Sequence, residues 1–491
     1  MNLDSNIIQK TIQSLLTDVT PKVLTTMTAI TDIPDINEIS KMIALSTSAS
    51  ADKKSHELKA VIKKHNGEEE DDNDDDGKDD NSAEKKTHKK RKSHHAISVL
   101  YEKMNAANLE MNTQKNAGCF KYQETVVDVQ SQLPRPDSLS ETYLTREMTE
   151  YIKNESKKIL TFECTINNRT IRLIFIIFKN NNFEKISYYK TYAHRVYMWL
   201  SMISKKSTCV ETLTIYVYLT PFKKQLPENK SESIGPVHAN TGYTYRCEKK
   251  NEIVIYREEE WFKVLLHETM HAFGNDFHNE GNEKNEDDEI GNAIKQIFSL
   301  PPEISIRMSE TYSEIWARIM NVVFQTYFKN PPSLESRSAL QFRKNVEFYL
   351  YLESIFSLYQ CIKILDFMGV NYQLLIGDSE HSKKMIRSFY RENTNVFAYY
   401  VLTSILLNNH DIFLSWCAKH NGPGLHIFRV KPAQSAFVEL IESCYKKNEL
   451  LQKIVETEKK VVRDYQKAIS SHSSRDKELV TTLRMTIVGF D

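Results

Sequence analysis

The stretch VLLHETMHAF, Val264 to Phe273, sets two histidines four positions apart, with a glutamate directly after the first. On a helix, His267 and His271 stack their imidazoles on one face, with Cβ atoms about 5–6 Å apart, close enough to share one tetrahedral cation. Glu268 leaves the same turn at another angle. Its carboxylate can act on a water beside such a cation without ligating it, which is the placement a general base needs. Val264, Leu265, Leu266, Met270, Ala272 and Phe273 are uncharged and would pack this helix into a core. Burial strengthens the hold of a cation on charge that develops during a reaction. The competing reading is an amphipathic helix that carries two histidines and no ion.

A catalytic zinc takes three protein ligands and keeps one position open. His278 is one candidate, because HETMHAFGNDFH resembles the metzincin pattern H-E-x-x-H-x-x-G-x-x-H, with Gly274 at the turn. It departs by one residue, since Phe277 stands where the third histidine belongs. Glu310 and Glu314 are the other candidates; they share one face of SETYSEIWARIMN (Ser309–Asn321), in the apolar company of Ile315, Trp316, Ile319 and Met320. Here the chain resembles the gluzincins, the thermolysin-like zinc metallopeptidases, which pair H-E-x-x-H with a downstream helix N-E-x-x-S-D. SETYSE matches at Glu310, at Ser313 and at the second acid, Glu314, and departs with Ser309 for Asn. The resemblance implies that Glu310 joins His267 and His271 on Zn2+ and that Glu314 anchors a ligating histidine. An imidazole ligand needs such a partner for its other N–H. The exchange of roles between Glu310 and Glu314 remains open, as does His278.

The resemblance covers only about Glu258–Gly274 and Ser309–Asn321. The chain is also similar to metallopeptidases encoded by large nucleocytoplasmic DNA viruses, in which a strand of the IVIYR kind runs into the metal helix. The implied activity is hydrolysis of a protein or peptide substrate, with Glu268 as general base. In such enzymes an edge strand aligns the substrate, and His238–Arg246 or Glu252–Tyr256 could serve. A hydroxyl from the C-terminal half often steadies the oxyanion, with Tyr399 and Tyr400 as possible donors. The alternative class is a non-enzymatic viral structural or scaffolding protein on a zincin-like fold. The intact Glu268 weighs against it, because a degenerate site has no need of the base.

The elements that would carry these residues can be read from periodicity. A helix is expected over Ile97–Leu109, then a hairpin, Lys158–Ile166 and Thr170–Lys179, turning at Asn167-Asn168. Next come a helix (Tyr188–Ser204), strands at Glu211–Leu219 and Glu252–Tyr256, and the metal helix, stopped by Gly274. An acidic loop, Asn275–Pro302, separates the two ligand-bearing helices. From Ser309 the pattern is helical, with Ser309–Phe328, Leu334–Phe367, Asn393–Asn409 and Gln434–Ser470. The expected class is α+β: a zincin-like fold with a mixed αβ lobe, 96–300, and a mainly helical lobe, 301–491.

Ahead of these lobes stand a segment with helical pieces, 1–66, and a charged stretch, 67–95, whose acidic and then basic blocks hold too little apolar surface to fold. Lys85–Lys92 is the one stretch basic enough for nucleic acid. With 65 basic and 65 acidic residues the whole chain exerts no such pull. Hydrophobic residues make up 40% and charged ones 26%, the balance of a globular protein with a sizeable core. No apolar run reaches the roughly 20 residues of a membrane span, and no secretion signal opens the chain. The 7 cysteines are dispersed, without a C-x-x-C pair. That argues against a disulfide framework and for a reducing, intracellular setting: host cytoplasm, viral factory or nucleus.

Overall fold

The computed structural model describes residues 81–489, apart from 128–132, 137–141, 179–185, 278–282, 330–338, 422–427, 429–433 and 472–473. Six strands, β1 (Lys121–Val126), β2 (Ser156–Ile166), β3 (Arg169–Phe178), β4 (Thr212–Tyr218), β5 (Gly242–Thr244) and β6 (Lys250–Ile255), form one sheet in the order β1-β2-β3-β4-β6-β5. The β2–β3 hairpin turns at Asn167 (φ 48°) and Asn168 (φ 62°), the left-handed pair that a two-residue turn requires and that Asn tolerates. Strands β3, β4 and β6 run parallel, while β5 closes the sheet antiparallel to β6. Of the two segments expected to align a substrate, only the first reaches the edge. It does so as Gly242–Thr244, because Pro236–Ala239 winds into a helical turn.

Alternation along β3 sends side chains to opposite faces. Ile174, Ile176 and Phe178 pack with Leu133, Leu144, Met148 and Ile152, the last two from α2 (Arg146–Glu155). Phe175 points the other way, to Tyr189 of α3 (Ile186–Ile203) and Trp261 of α4 (Trp261–Ala272). The α4 helix is thus laid against the sheet beside its edge strand. At Gly242 a Cβ would come within 2.9 Å of the Val254 carbonyl and of Val264, so only glycine lets β5 approach α4 so closely.

After β6 every described element is helical, among them α5 (Glu283–Ile297), α6 (Met308–Lys329) and α7 (Ala339–Phe367). The mixed α+β reading holds, with the strands confined to the first part of the described chain. The helical half is nevertheless no separate body: Lys89–Phe490 is one compact unit that includes both expected lobes. The acidic loop expected over 275–302 contains α5, and the helix expected over 434–470 breaks into Gln434–Glu442 and Asn448–Ser471.

Two further expectations need correction. The stretch 67–95 was expected to lack structure throughout, yet helix α1 runs from Asn81 to Asn116. Ile97, Leu100, Met104, Ala107 and Met111 bury one stripe of it. Once packing has nucleated a helix, good helix formers such as Ala83, Glu84, Lys85 and Lys86 extend it at little cost. The rest of that stretch, and the side chains of Lys85–Lys92, lie outside the described residues. The cysteines, expected to remain unpaired, include a disulfide between Cys209 and Cys247, whose Cα atoms lie 4.8 Å apart across 38 positions. The case for a reducing compartment loses its ground with that pair. No helix among the described residues is long and apolar enough to cross a membrane.

Candidate metal centre

Helix α4 is fixed at both ends. At its start Glu260 takes φ 61°, and its carboxylate accepts the buried Lys224 ammonium and the backbone N–H groups of Met485 and Thr486. At its end Gly274 N–H bonds to the His271 carbonyl (3.0 Å) and Asn275 N–H to that of Met270 (2.9 Å), a Schellman closure around Gly274 at φ 60°. Midway, Trp199 Nε1–H donates to Thr269 Oγ1 at 2.6 Å. This cage sets the rotation of α4 about its axis, and with it where both imidazoles point.

They point at α6. His267 Nε2 lies 3.1 Å from His271 Nε2 and 3.2 Å from Glu310 Oε2, and His271 Nε2 lies 3.4 Å from that same oxygen. Ligands about 2.0–2.1 Å from a tetrahedral zinc stand about 3.3–3.4 Å from one another, so this triangle has the size such an ion requires. The outer ring nitrogens are spoken for. His267 Nδ1–H donates to Glu314 Oε2 at 3.1 Å, and His271 Nδ1–H to Asp276 Oδ2. Each carboxylate holds the proton on Nδ1 and leaves the Nε2 lone pair facing the triangle. His267, His271 and Glu310 form a group that could hold a metal ion.

Charge balance points the same way. Glu314 is neutralised by Lys263 (3.0 Å) and by Arg318 (2.9 Å), and Arg246 lies 3.4 Å from Asp276. Among the described residues, the Glu310 carboxylate meets the two imidazoles and the Tyr399 hydroxyl, which donates to it at 2.9 Å. Burial disfavours charge on His271, but Glu310 and Asp276 outweigh it and raise the ring to about 10. His267 is raised too: its bonds to Glu310 and Glu314 overcome burial. The acids around the two rings thus favour positive charge between them.

Glu268 is 8% exposed, and burial raises its pKa. It makes no hydrogen bond among the described residues, which leaves its oxygens open to a water or a substrate. Tyr143 stands at the rim. Its ring stacks on Tyr243 of β5 (5.0 Å between centroids), and burial followed by the charges of Glu268 and Glu310 raises its pKa.

The sequence reading thus put His267, His271, Glu268, Glu310 and Glu314 in one place, and α4 and α6 bring them together. Of the two tyrosines, Tyr399 enters the site, while Tyr400 donates to the Leu483 carbonyl instead. His278 lies outside the described residues. Asp276 and Tyr143 were missed. Asp276 reaches His271 only through the turn at Gly274, and nothing in the sequence ties Tyr143 to β5. Compared with protein families, curated proteins and solved structures, the chain matches none.

Proposed function

We propose that this chain is a zinc-dependent peptidase of the gluzincin kind on a zincin-like fold, in which His267, His271 and Glu310 hold the ion and Glu268 is the general base. The observation that carries the proposal is the triangle of two Nε2 atoms and one Oε2, with sides of 3.1, 3.2 and 3.4 Å and a carboxylate behind each ring. A zinc ion bound there would polarise the scissile carbonyl and acidify water to a pKa near 7. Glu268, held partly protonatable by burial, takes a proton from water and returns it to the departing amine. The outer edge of β5 offers main-chain groups to an extended peptide, and Tyr143 and Tyr243 form a wall for one of its side chains.

Metal analysis of the purified chain tests this reading. About one zinc per chain is expected, with most of it lost in His271→Ala and in Glu310→Ala. Full retention in Glu310→Ala would remove that ligand from the assignment. Glu268→Gln should keep its zinc and lose about 10²–10⁴-fold in turnover of an unfolded protein substrate. Cleavage at the wild-type rate would end the general-base role; a wild-type chain that held no zinc and cleaved no substrate would make the non-enzymatic scaffold the better reading.

A further inference from the structure

Helix α1 carries a lysine that the metal centre does not use. Lys103 lies beside the buried stripe of α1, is 7% exposed, and its Nζ has no hydrogen-bond partner among the described residues. The ammonium lies over the face of Phe428, 5.8 Å from the ring centroid. Burial, and then the like charge of Lys205, lowers its pKa to about 8. A buried cation with no counter-charge is costly, and most chains replace it or pair it.

Lys103 lines a groove of about 390 Å³ between α1 and the end of α3. That volume is at the small end of the roughly 300–1,000 Å³ typical of small-molecule sites. Val99, Ala106, Ala107 and Met202 give it apolar walls, and Lys205 adds a second cation. His95, Glu102 and Glu110 also line it. Glu110 accepts a bond from Gln114 at 3.5 Å, and neither acid appears among the charges that act on Lys103. The groove therefore joins an apolar lining to an ammonium that lacks its anion.

We propose that this groove is a binding site for an anionic amphiphile, its acidic head paired with Lys103 and Lys205 and its apolar body against Val99, Ala107 and Met202. The site is separate from the metal triangle, and no step of the peptidase reading depends on it. Carboxylate and phosphate heads share the required chemistry, so decanoate and decyl phosphate serve as probes, with decanol as the uncharged control.

Isothermal titration of the full chain at pH 7 should show saturable one-to-one binding of at least one acid, and at least tenfold weaker binding of decanol. The acid that binds more tightly identifies the head group. Lys103→Met should weaken the acid at least tenfold while raising the unfolding temperature, because it removes an uncompensated buried charge. Ala106→Trp, which fills the groove and leaves Lys103 in place, should weaken binding by a similar factor. Absence of saturable heat with both acids, equal binding of decanol, or undiminished binding by Lys103→Met overturns the proposal. In that case the ammonium is served by water alone.

Discussion

Asp276 Oδ2 receives the Nδ1–H of His271 and lies 3.4 Å from Arg246, whose guanidinium also donates to Ser309 Oγ at 2.6 Å. One carboxylate therefore orients the His271 ring, a ligand in the proposed centre, and ties the loop after α4 to the start of α6. In Asp276→Asn an oxygen can still accept the ring proton, but the charge that makes the imidazole a better donor is gone. The zinc dissociation constant is expected to rise about 10–100-fold with the fold intact, as measured by competition with a chromophoric chelator. An unchanged constant would reduce Asp276 to a loop anchor. The contrast with Glu310 shows what a sequence discloses at this scale. His267, His271, Glu310 and Glu314 could be read because helical spacing ties each to a neighbour one turn away. The approach of Asp276 to His271 depends on how the chain leaves the helix at Gly274, which spacing does not encode.

Between elements, the contact of α4 with α6 rests on a buried ionic knot. Lys263 Nζ donates to both oxygens of Glu314 (3.0 and 3.1 Å), and Arg318 Nε donates to one of them. All three side chains are at most 2% exposed, and Lys263, the bond from His267 and Arg318 together hold the Glu314 carboxyl well below its usual range despite burial. Glu314→Ala would strand two buried cations, at a cost of about 3–5 kcal/mol in unfolding free energy by urea titration. Adding Lys263→Met should restore part of that loss; a double variant no more stable than the single one would show that the knot contributes through shape and not charge. The two helices were legible from apolar periodicity, and the β2–β3 hairpin from its Asn-Asn turn. Strand β1 was not: its side chains are almost all exposed, so no alternation marks it, and it is a strand because β2 offers it an edge. The Cys209–Cys247 pair was equally hidden, because β4 and β6 must lie side by side before the two residues meet.

For the whole molecule, the final segment connects parts that no local pattern joins. Residues 483–488 are buried, and four of their N–H groups end on acidic side chains: Met485 and Thr486 on Glu260, Ile487 and Val488 on Glu353 of α7 (both 3.0 Å). Met485 Sδ also lies 3.4 Å from Lys263 Nζ of α4. The second oxygen of Glu353 has no hydrogen-bond partner among the described residues, and burial pushes this carboxyl up to about 7, against the pull of Arg318 and Thr486. The folded state thus keeps a proton that the unfolded chain releases near 4.5, so stability falls as pH rises through the window from about 4.5 to 7 and then levels off. The full change is about 3 kcal/mol. Glu353→Gln keeps an acceptor oxygen for the tail and cannot ionise, while every other titrating group is common to both proteins. Urea unfolding at pH 5 and at pH 8 should therefore show the difference, variant minus wild type, moving by about that amount in favour of the variant. Equal pH slopes in the two proteins would mean that Glu353 is ionised in the fold and that the tail N–H groups are bound by a full negative charge.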